Sequence, residues 1–227
     1  MSLTIKICGL STEETVDAAI DAGADMIGFV LFPASPRYVS PQRASELARH
    51  ARGRAEVAML TVDMDPAALA DAAGEVKPDW LQLHGREAPE ILSQIRAMQG
   101  RRIIKALGVA ASADLDAASA YADVADRLLL DAKPPKGASR PGGNGESFDW
   151  SILAGFRPAL PYMLSGGLDA GNVAEALRSS AAIGVDVSSG VESAPGHKDV
   201  GLIRAFIETA RKAERDSAAR TIEKAAS

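Results

Sequence analysis

The chain has 227 residues, of which 47% are hydrophobic and 24% are charged, and its formal net charge is −5. This length and composition fit one α/β domain with a sizeable core, and the acidic balance argues against binding to nucleic-acid phosphates. The amino-terminal stretch lacks the pattern of a signal peptide, and no apolar run approaches the length of a membrane span. We therefore expect a soluble, cytoplasmic protein that binds neither nucleic acid nor membranes.

Eight short and mostly apolar runs recur along the chain and predict eight β-strands. They occupy residues 3–9, 26–32, 56–62, 80–85, 102–107, 127–133, 161–167 and 182–190. Nearly continuous apolar character is typical of parallel strands that are buried on both faces. Alanine-rich segments with helical spacing separate the runs, so the pattern indicates repeated βα units.

Several residues mark the predicted helix ends. Ser11 and Glu14 have the spacing of a capping box ahead of the first helix, and Gly23 is suited to end that helix. Residues 40–41 (Ser-Pro) and 65–66 (Asp-Pro) each place a good capping residue before a proline at the first helical position.

Two topologies accommodate eight βα units, namely a closed barrel and an open doubly wound sheet. The open sheet would be expected to carry a glycine-rich nucleotide turn after its first strand, but Gly9 is followed by no further glycine until Gly23. We therefore predict an α/β fold, a single-domain (β/α)₈ TIM barrel of parallel strands over residues 1–211. A polar, helix-prone C-terminal extension over 212–227 follows it, and a solvated or frayed segment is the expected form.

Polar residues occur near the carboxyl ends of the predicted strands, which is where barrel enzymes have their sites. Because side chains alternate along a strand, these residues fall on the interior side of the barrel, where a purely structural core would avoid them. The residues with this placement are Lys6 and Cys8 in strand one, Gln82 and His84 in strand four, Asp131 in strand six, and Asp186 and Ser188 in strand eight.

Glycines mark the ends of the last two predicted strands, in residues 165–167 (SGG) and 188–190 (SSG). Glycine lets backbone N–H groups approach an anion, and the N-terminus of a following helix adds favourable partial charge. One such run is explained equally well by a tight strand-to-helix turn. Two of them, after strands seven and eight, favour a phosphate site.

Three further residues are candidates for chemistry. Cys8 is either a small buried hydrophobe or a thiol that acts as a base, and its place at a strand end favours the second role. Asp131 either has a structural role, by pairing with Lys133 or capping the next turn, or acts as an acid that opens onto the long glycine-rich loop over 132–150. Arg37 is either a surface charge or, in its proline-stiffened loop, a bidentate clamp for a carboxylate.

The sequence does not predict a disulfide or a metal site. Cys8 is the only cysteine, His50 falls in a predicted outer helix, and His197 lies beyond the eighth strand. We therefore expect His84 and Gln82 to serve as hydrogen-bonding residues rather than as metal ligands.

Seven segments taken together resemble the phosphoribosylanthranilate isomerase family, in order and from about residue 5 to residue 211. They are residues 6–10 (KICGL), 32–39 (FPASPRYV), 81–85 (LQLHG), 130–131 (LD), 142–150 (GGNGESFDW), 165–168 (SGGL) and 184–192 (GVDVSSGVE). The resemblance implies a cofactor-free Amadori rearrangement in tryptophan biosynthesis. In that reaction N-(5′-phosphoribosyl)anthranilate becomes 1-(2-carboxyphenylamino)-1-deoxyribulose 5-phosphate.

The resemblance also implies a role for each candidate. Asp131 is the general acid that opens the furanose ring, Cys8 is the general base that removes the C2′ proton, and Arg37 holds the anthranilate carboxylate. The backbone around the two glycine runs holds the phosphate. The substrate-binding residues expected on this basis are Arg37, Gln82, His84, Gly166, Gly167, Asp186, Ser188, Ser189 and Gly190.

Some features differ from the family pattern, and some alternatives stay open. Asn144 replaces a common threonine, and residues 61–63 (TVD) replace Phe-Val-Asn, which bears on loop closure and substrate fit. The nearest alternative is the sister Amadori isomerase of histidine biosynthesis, which has an aspartate where this chain has Cys8. A metal-dependent epimerase and a non-catalytic phosphate-binding barrel are the others. Either a monomer or a homodimer is expected.

Overall fold

The computed structural model describes residues 2–133 and 147–225. Most of the predicted loop over 132–150, including Asn144, lies outside these residues. Within them no helix is long and apolar enough to cross a membrane.

Eight parallel strands form a closed barrel in chain order. The barrel closes because β1 pairs with β2 on one side and with β8 on the other, where Thr4 lies opposite Gly184. The predicted (β/α)₈ barrel is therefore confirmed. The strands are β1 Thr4–Cys8, β2 Met26–Val30, β3 Glu56–Thr61, β4 Trp80–Leu83, β5 Arg102–Val109, β6 Arg127–Ala132, β7 Tyr162–Leu164 and β8 Gly184–Val187.

Helices follow the strands on the outside of the barrel. The α-helices are α1 Glu13–Asp21, α2 Pro41–Ala51, α3 Pro66–Val76, α4 Pro89–Gln99, α5 Val173–Arg178 and α6 Val200–Ala225. Short 3₁₀ helices, Ser112–Tyr121 and Trp150–Leu153, follow β5 and β6. A small hairpin after β8, with strands β9 Glu192–Ala194 and β10 His197–Lys198, precedes α6.

The helix ends agree with the sequence at three of the predicted positions and differ at one. Ser40 and Asp65 cap α2 and α3 with their side-chain oxygens, and Gly23 follows α1 with φ +100°. The prediction for Ser11 was wrong, because Thr12 caps α1 instead. Thr12 is the residue with extended backbone immediately before the first turn, so its hydroxyl reaches the N–H three residues later.

Alternating side chains divide each strand between two layers. The outward residues of β1, Ile5 and Ile7, pack into the large core beneath the helices. The lower interior of the barrel is apolar, with residues such as Trp80 and Met163 in contact there. Near the carboxyl ends the interior becomes polar, as predicted, and polar side chains are buried in it. They are Lys6, Gln82, Asp131 and Asp186.

The last helix continues past the predicted end of the barrel domain. It is unbroken from Val200 to Ala225, and the Glu214 carboxylate accepts a hydrogen bond of 2.6 Å from the backbone N–H of Leu3. The division between a barrel over 1–211 and an extension over 212–227 stays a prediction.

Candidate active site

One cavity opens at the carboxyl ends of the strands and collects most of the predicted site residues. The site residues that line it are Cys8, Arg37, His84, Asp131, Gly166, Gly167, Asp186, Ser188 and Ser189. The two remaining candidates lie next to it. Gln82 is fully buried and contacts His84, and Gly190 packs so closely on the Leu168 carbonyl that a Cβ atom would collide with it.

Cys8 ends β1 with a buried side chain, facing the interior of the barrel. Gly28 on β2 leaves room for it, since a Cβ atom there would lie 2.9 Å from the Cys8 sulfur and 3.1 Å from Lys6 Nζ. Burial raises the pKa of the Cys8 thiol, the positive charge of Lys6 lowers it, and the negative charge of Asp186 raises it. The net pKa is above the ordinary thiol value, so the thiol is protonated at neutral pH.

A buried ion pair lies beneath Cys8. Lys6 Nζ donates to Asp186 Oδ1 at 2.9 Å, and the two side chains are 0% and 5% exposed. The alternation of side chains along β1 predicts that Lys6 faces the interior of the barrel, but it does not mark this lysine as a site residue. A lysine with no exposed surface, one residue before a candidate base, is the signal that would have done so.

Asp131 lies at the end of β6 and contacts His84 rather than Lys133. Its Oδ2 atom is 3.0 Å from His84 Nε2, and its Oδ1 atom accepts a hydrogen bond of 3.0 Å from the N–H of Ala132. Lys133 pairs with Asp114 instead. The other ring nitrogen of His84, Nδ1, lies 3.1 Å from Gln82 Nε2, so the ring is held between the amide and the carboxyl group.

Arg37 is buried, so it is not a surface charge, and its role as a clamp for a carboxylate stays a prediction. Its Nε and Nη2 atoms donate to the two carboxylate oxygens of Glu192, at 2.6 and 2.8 Å. Burial alone would raise the pKa of Glu192, but the hydrogen bonds and charges of Arg37 and Lys198 outweigh it and lower that pKa. Glu192 ends the GVDVSSGVE segment, and nothing else in the sequence marks it as a site residue.

Lys198 is a second buried cation that the sequence did not indicate. Its Nζ atom donates to Glu192 Oε1 at 2.7 Å and to the carbonyl oxygen and hydroxyl of Ser188, at 2.8 and 3.1 Å. Burial lowers its pKa to about 8 against the opposing effect of Glu192. Lys198 belongs to the two-residue strand β10, which is too short to have a readable pattern.

The two glycine-bearing loops lie side by side at the cavity. Gly166 and Gly167 adopt φ of +83° and +60°, conformations that favour glycine. Within the described part of the chain, no acceptor takes the N–H groups of Gly166, Gly167 or Ser189. Unpaired N–H groups on adjacent loops are what an anion site provides.

A buried ion pair supports the loop that carries His84. Lys105 Nζ donates to Glu87 Oε2 and to the carbonyl oxygen of Gly85, both at 2.8 Å. Glu87 accepts hydrogen bonds of 3.0 Å from the N–H groups of Gly85 and Asp63. Asp63, one of the departures from the family pattern, thus takes part in this loop with φ +46°.

Across the residues that the structure describes, no three His, Cys, Asp or Glu side chains come together as a metal site. His50 contacts Asp17 on the outer surface, and His197 lies in β10. Among the described side chains, the His84 ring contacts the amide of Gln82 and the carboxyl group of Asp131.

Residues 5–209 match the family model described as N-(5′-phosphoribosyl)anthranilate (PRA) isomerase. A protein named N-(5′-phosphoribosyl)anthranilate isomerase from Afipia carboxidovorans is 57% identical over 213 residues, which cover 94% of this chain and 91% of that protein. The chain belongs to this family. A relative of the same name from Rhodopseudomonas palustris is also 57% identical, over 95% of this chain and 99% of its own length.

Solved structures of the family have the same fold. The crystal structure of phosphoribosyl anthranilate isomerase from Thermotoga maritima is 34% identical, with a TM-score of 0.84 over 92% of this chain and 99% of that one. A crystal structure of the isomerase in complex with reduced 1-(o-carboxyphenylamino)-1-deoxyribulose 5-phosphate is 33% identical, with a TM-score of 0.81 over the same shares. A further structure concerns monomers of the dimeric Thermotoga maritima enzyme.

Proposed function

We propose that this chain isomerises N-(5′-phosphoribosyl)anthranilate in tryptophan biosynthesis, with Cys8 as general base and Asp131 as general acid. The observation that carries the proposal is that both side chains face one cavity, on β1 and β6. The same cavity is lined by Arg37 and by the two glycine-bearing loops. A substrate with a carboxylate at one end and a phosphate at the other fits between these two anchors.

Asp131 carries out the first proton transfer in this mechanism. Its carboxyl proton goes to the furanose ring oxygen, the bond from that oxygen to C1′ breaks, and the aniline nitrogen forms a Schiff base with C1′. His84 lies 3.0 Å from Asp131 Oδ2 and fixes the orientation of the carboxyl group. Placing an acid within reach of the leaving oxygen contributes about 10²–10⁴-fold to such a step.

Cys8 carries out the second proton transfer. Its thiolate takes the C2′ proton, and the C2′ electrons move toward the Schiff-base nitrogen to give an enolamine. A proton then moves from the C2′ hydroxyl to C1′, which yields the 2-keto product. Because the pKa of the Cys8 thiol is raised, Lys6 is the group that favours the reactive thiolate, through its positive charge.

Two anchors hold the ends of the substrate. The guanidinium of Arg37 holds the anthranilate carboxylate, and the N–H groups around Gly166, Gly167, Ser189 and Gly190 hold the phosphate. Asp186 and Ser188 contribute from the floor of the cavity, where Asp186 pairs with Lys6 and the Ser188 hydroxyl donates to the carbonyl of Cys8 at 3.0 Å. No cofactor is required, since each step moves one proton.

The alternatives differ from this proposal at identifiable residues. The sister isomerase of histidine biosynthesis has an aspartate at the end of its first strand, where this chain has Cys8. A metal-dependent epimerase requires a divalent ion. A non-catalytic barrel would tolerate inert residues at positions 8 and 131.

The decisive experiment separates chemistry from binding. Substrate fluorescence should fall when the purified protein is added, and Cys8→Ala and Asp131→Asn should each lower kcat by about 10²-fold or more. Both variants should still bind the reduced product analogue, reduced 1-(o-carboxyphenylamino)-1-deoxyribulose 5-phosphate, because binding it requires no proton transfer. Isothermal calorimetry measures that affinity.

Each alternative predicts a different result from these assays. No turnover by the unaltered protein would favour a non-catalytic barrel. Loss of turnover in EDTA, restored by a divalent ion, would favour the epimerase. Near-normal kcat in either variant would make that residue structural and pass its role to His84 or Asp63.

Two further expectations accompany the function. We propose a cytoplasmic location, in keeping with a biosynthetic activity on a charged small molecule. We propose a monomer or a homodimer, alternatives that light scattering after gel filtration distinguishes.

A further inference from the structure

We infer that Lys198 is a positioning residue that completes the carboxylate-binding end of the cavity by making the cluster around Arg37 cationic. This inference rests on the proposed function, because it concerns the substrate carboxylate. It assigns a role to a buried lysine that lies outside the two proton-transfer groups and outside both glycine-bearing loops.

The side chains around Arg37 have a charge balance that depends on Lys198. Arg37 gives two of its donors to Glu192, so a cluster of these two residues alone would have no net charge. Lys198 also contacts Glu192, at 2.7 Å, and its side chain is only 1% exposed. The three side chains together carry one net positive charge when Lys198 is protonated, which is the charge that one carboxylate requires.

The backbone around Lys198 is closely packed against the loop that carries Arg37. Gly196, in the hairpin between β9 and β10, has φ +85°, and a Cβ atom there would collide with the carbonyl of Pro36. The same Gly196 donates its N–H to Glu192 Oε2 at 3.2 Å. The hairpin therefore packs directly against Pro36, the residue that precedes Arg37. This packing holds Glu192 and Lys198 next to the loop that carries Arg37.

The opposite side of Lys198 is fixed by Ser188. The ammonium donates to the carbonyl oxygen and the hydroxyl of this residue, and the same hydroxyl donates to the backbone carbonyl of Cys8. Glu192 on β9, Arg37 on the loop after β2, and Cys8 on β1 are the charged or titratable groups that act on Lys198. Lys6 and Asp186 lie deeper and neutralise each other.

Substitution of Lys198 tests the charge directly. Lys198→Met should weaken binding of the reduced product analogue by about 30-fold or more, because losing one partner of a buried charge pair costs at least about 2 kcal/mol and 1.4 kcal/mol is tenfold in affinity. Binding of inorganic phosphate alone should change little, because the phosphate loops keep their residues. Lys212→Met, which removes an exposed lysine from α6, is the matched control and should alter neither affinity.

The pH dependence of binding distinguishes charge from mere structural support. Burial lowers the pKa of Lys198 to about 8, so the free protein loses the extra charge above that pH. The Kd of the analogue should then rise by up to about tenfold per pH unit, the limit for one linked proton. Lys198→Arg stays charged and should show a smaller rise over the same range. Cys8 titrates in both proteins, so their difference isolates position 198.

The outcomes separate this inference from the proposed function. If the unaltered protein is an isomerase and Lys198→Met binds the analogue normally, the inference is overturned alone. A parallel loss of analogue and phosphate affinity would also overturn it, since Lys198 would then support the strand-eight loop as a whole. If the Kd of the analogue depended on pH identically in the unaltered protein and in Lys198→Arg, the inference would also be overturned. An inactive protein would overturn both.

Discussion

The Cys8 thiol lies in surroundings that act on its proton in opposite directions. Burial favours the neutral thiol because a thiolate loses its hydration there, and the Asp186 carboxylate adds to that effect. Lys6 acts the other way through its ammonium charge. The raised pKa of Cys8 shows that burial outweighs the lysine, so thiolate is scarce at neutral pH in the free protein.

Removal of Lys6 should therefore move the pH profile of the reaction. A general base works when it is deprotonated, so kcat/KM should rise with pH toward the raised pKa of Cys8. Lys6→Met should raise that pKa further and shift the rising limb to higher pH. The rate near neutral pH should fall while the rate on the alkaline plateau is largely retained. Steady-state kinetics over a pH series measures the shift.

Two further variants control for loss of stability in Lys6→Met. Lys6→Met leaves Asp186 buried without its partner, which costs about 3–5 kcal/mol in such pairs, so unfolding is a concern. Lys6→Met combined with Asp186→Asn removes both charges and should show the same direction of shift, because Lys6 is the stronger of the two effects. Lys212→Met is the control. If the rising limb of the pH profile stayed in place in both Lys6 variants, Lys6 would not control the pKa of the Cys8 thiol.

At the scale of elements, the loop after β7 depends on backbone conformations that only glycine adopts easily. Gly167→Ala should weaken binding of inorganic phosphate, because an alanine at φ +60° costs about 1–2 kcal/mol and the loop relaxes by turning its N–H groups. Gly100→Ala is a matched control, with the same φ of +60° and open space around it at the end of α4. Calorimetry with phosphate compares the two.

The control decides what a loss of affinity means. Both alanine variants should lose similar stability in thermal unfolding, since the backbone strain is the same. Only Gly167→Ala should lose phosphate affinity. Equal phosphate affinity in the two variants would show that the phosphate lies elsewhere than the loops after β7 and β8.

The elements and much of the site were predictable because they leave local patterns. Buried parallel strands are nearly continuous in apolar residues, and a polar residue near a strand end, such as Asp131, interrupts that pattern visibly. Helix caps are also local. At α1, however, the adjacent hydroxyl residues Ser11 and Thr12 leave the position of the N-cap ambiguous by one residue.

The buried ion pairs were not predictable in the same way. Arg37 and Glu192 are 155 residues apart in the chain, and no periodicity relates them. Lys198 becomes visible as a site residue only when the hairpin folds onto the loop after β2. Lys105 was not predictable for another reason. It lies on the outer side of β5, where a lysine is ordinarily a surface residue that buries only its aliphatic stem, so nothing in the sequence indicates its buried ion pair with Glu87.

At the scale of the whole molecule, the last helix α6 contacts the residues that lead into β1. The Glu214 carboxylate on α6 accepts hydrogen bonds from the N–H of Leu3 and the hydroxyl of Ser2, at 2.6 and 3.2 Å. Arg211 donates to the carbonyl of Leu3 at 2.7 Å and to Asp25 at 2.6 Å. The last helix thus holds the strand that closes the barrel, and Glu214 lies within the predicted extension.

Glu214→Ala should therefore lower the melting temperature although it lies far from the cavity. Leaving a partly buried N–H without its acceptor costs about 1–3 kcal/mol. In a chain of this size each kcal/mol lowers Tm by about 2–4 °C. Glu208→Ala, an exposed position on the same helix, is the control and should change Tm little. Circular dichroism during heating measures both, and kcat should be unaffected.

The pH dependence of that stability difference identifies the carboxylate as its cause. Burial raises the pKa of Glu214, but the hydrogen bond from Leu3 and the contact with Arg211 outweigh it and lower the pKa below the ordinary value. A lowered pKa means that the stabilisation is fully present above the unfolded-state pKa of about 4.3 and is lost as pH falls through the folded-state value. The Tm gap between the unaltered protein and Glu214→Ala should close in that acid range. A gap that persists there unchanged would point to helix packing rather than to the charge, and the residues beyond 211 would then contribute to the barrel by packing alone.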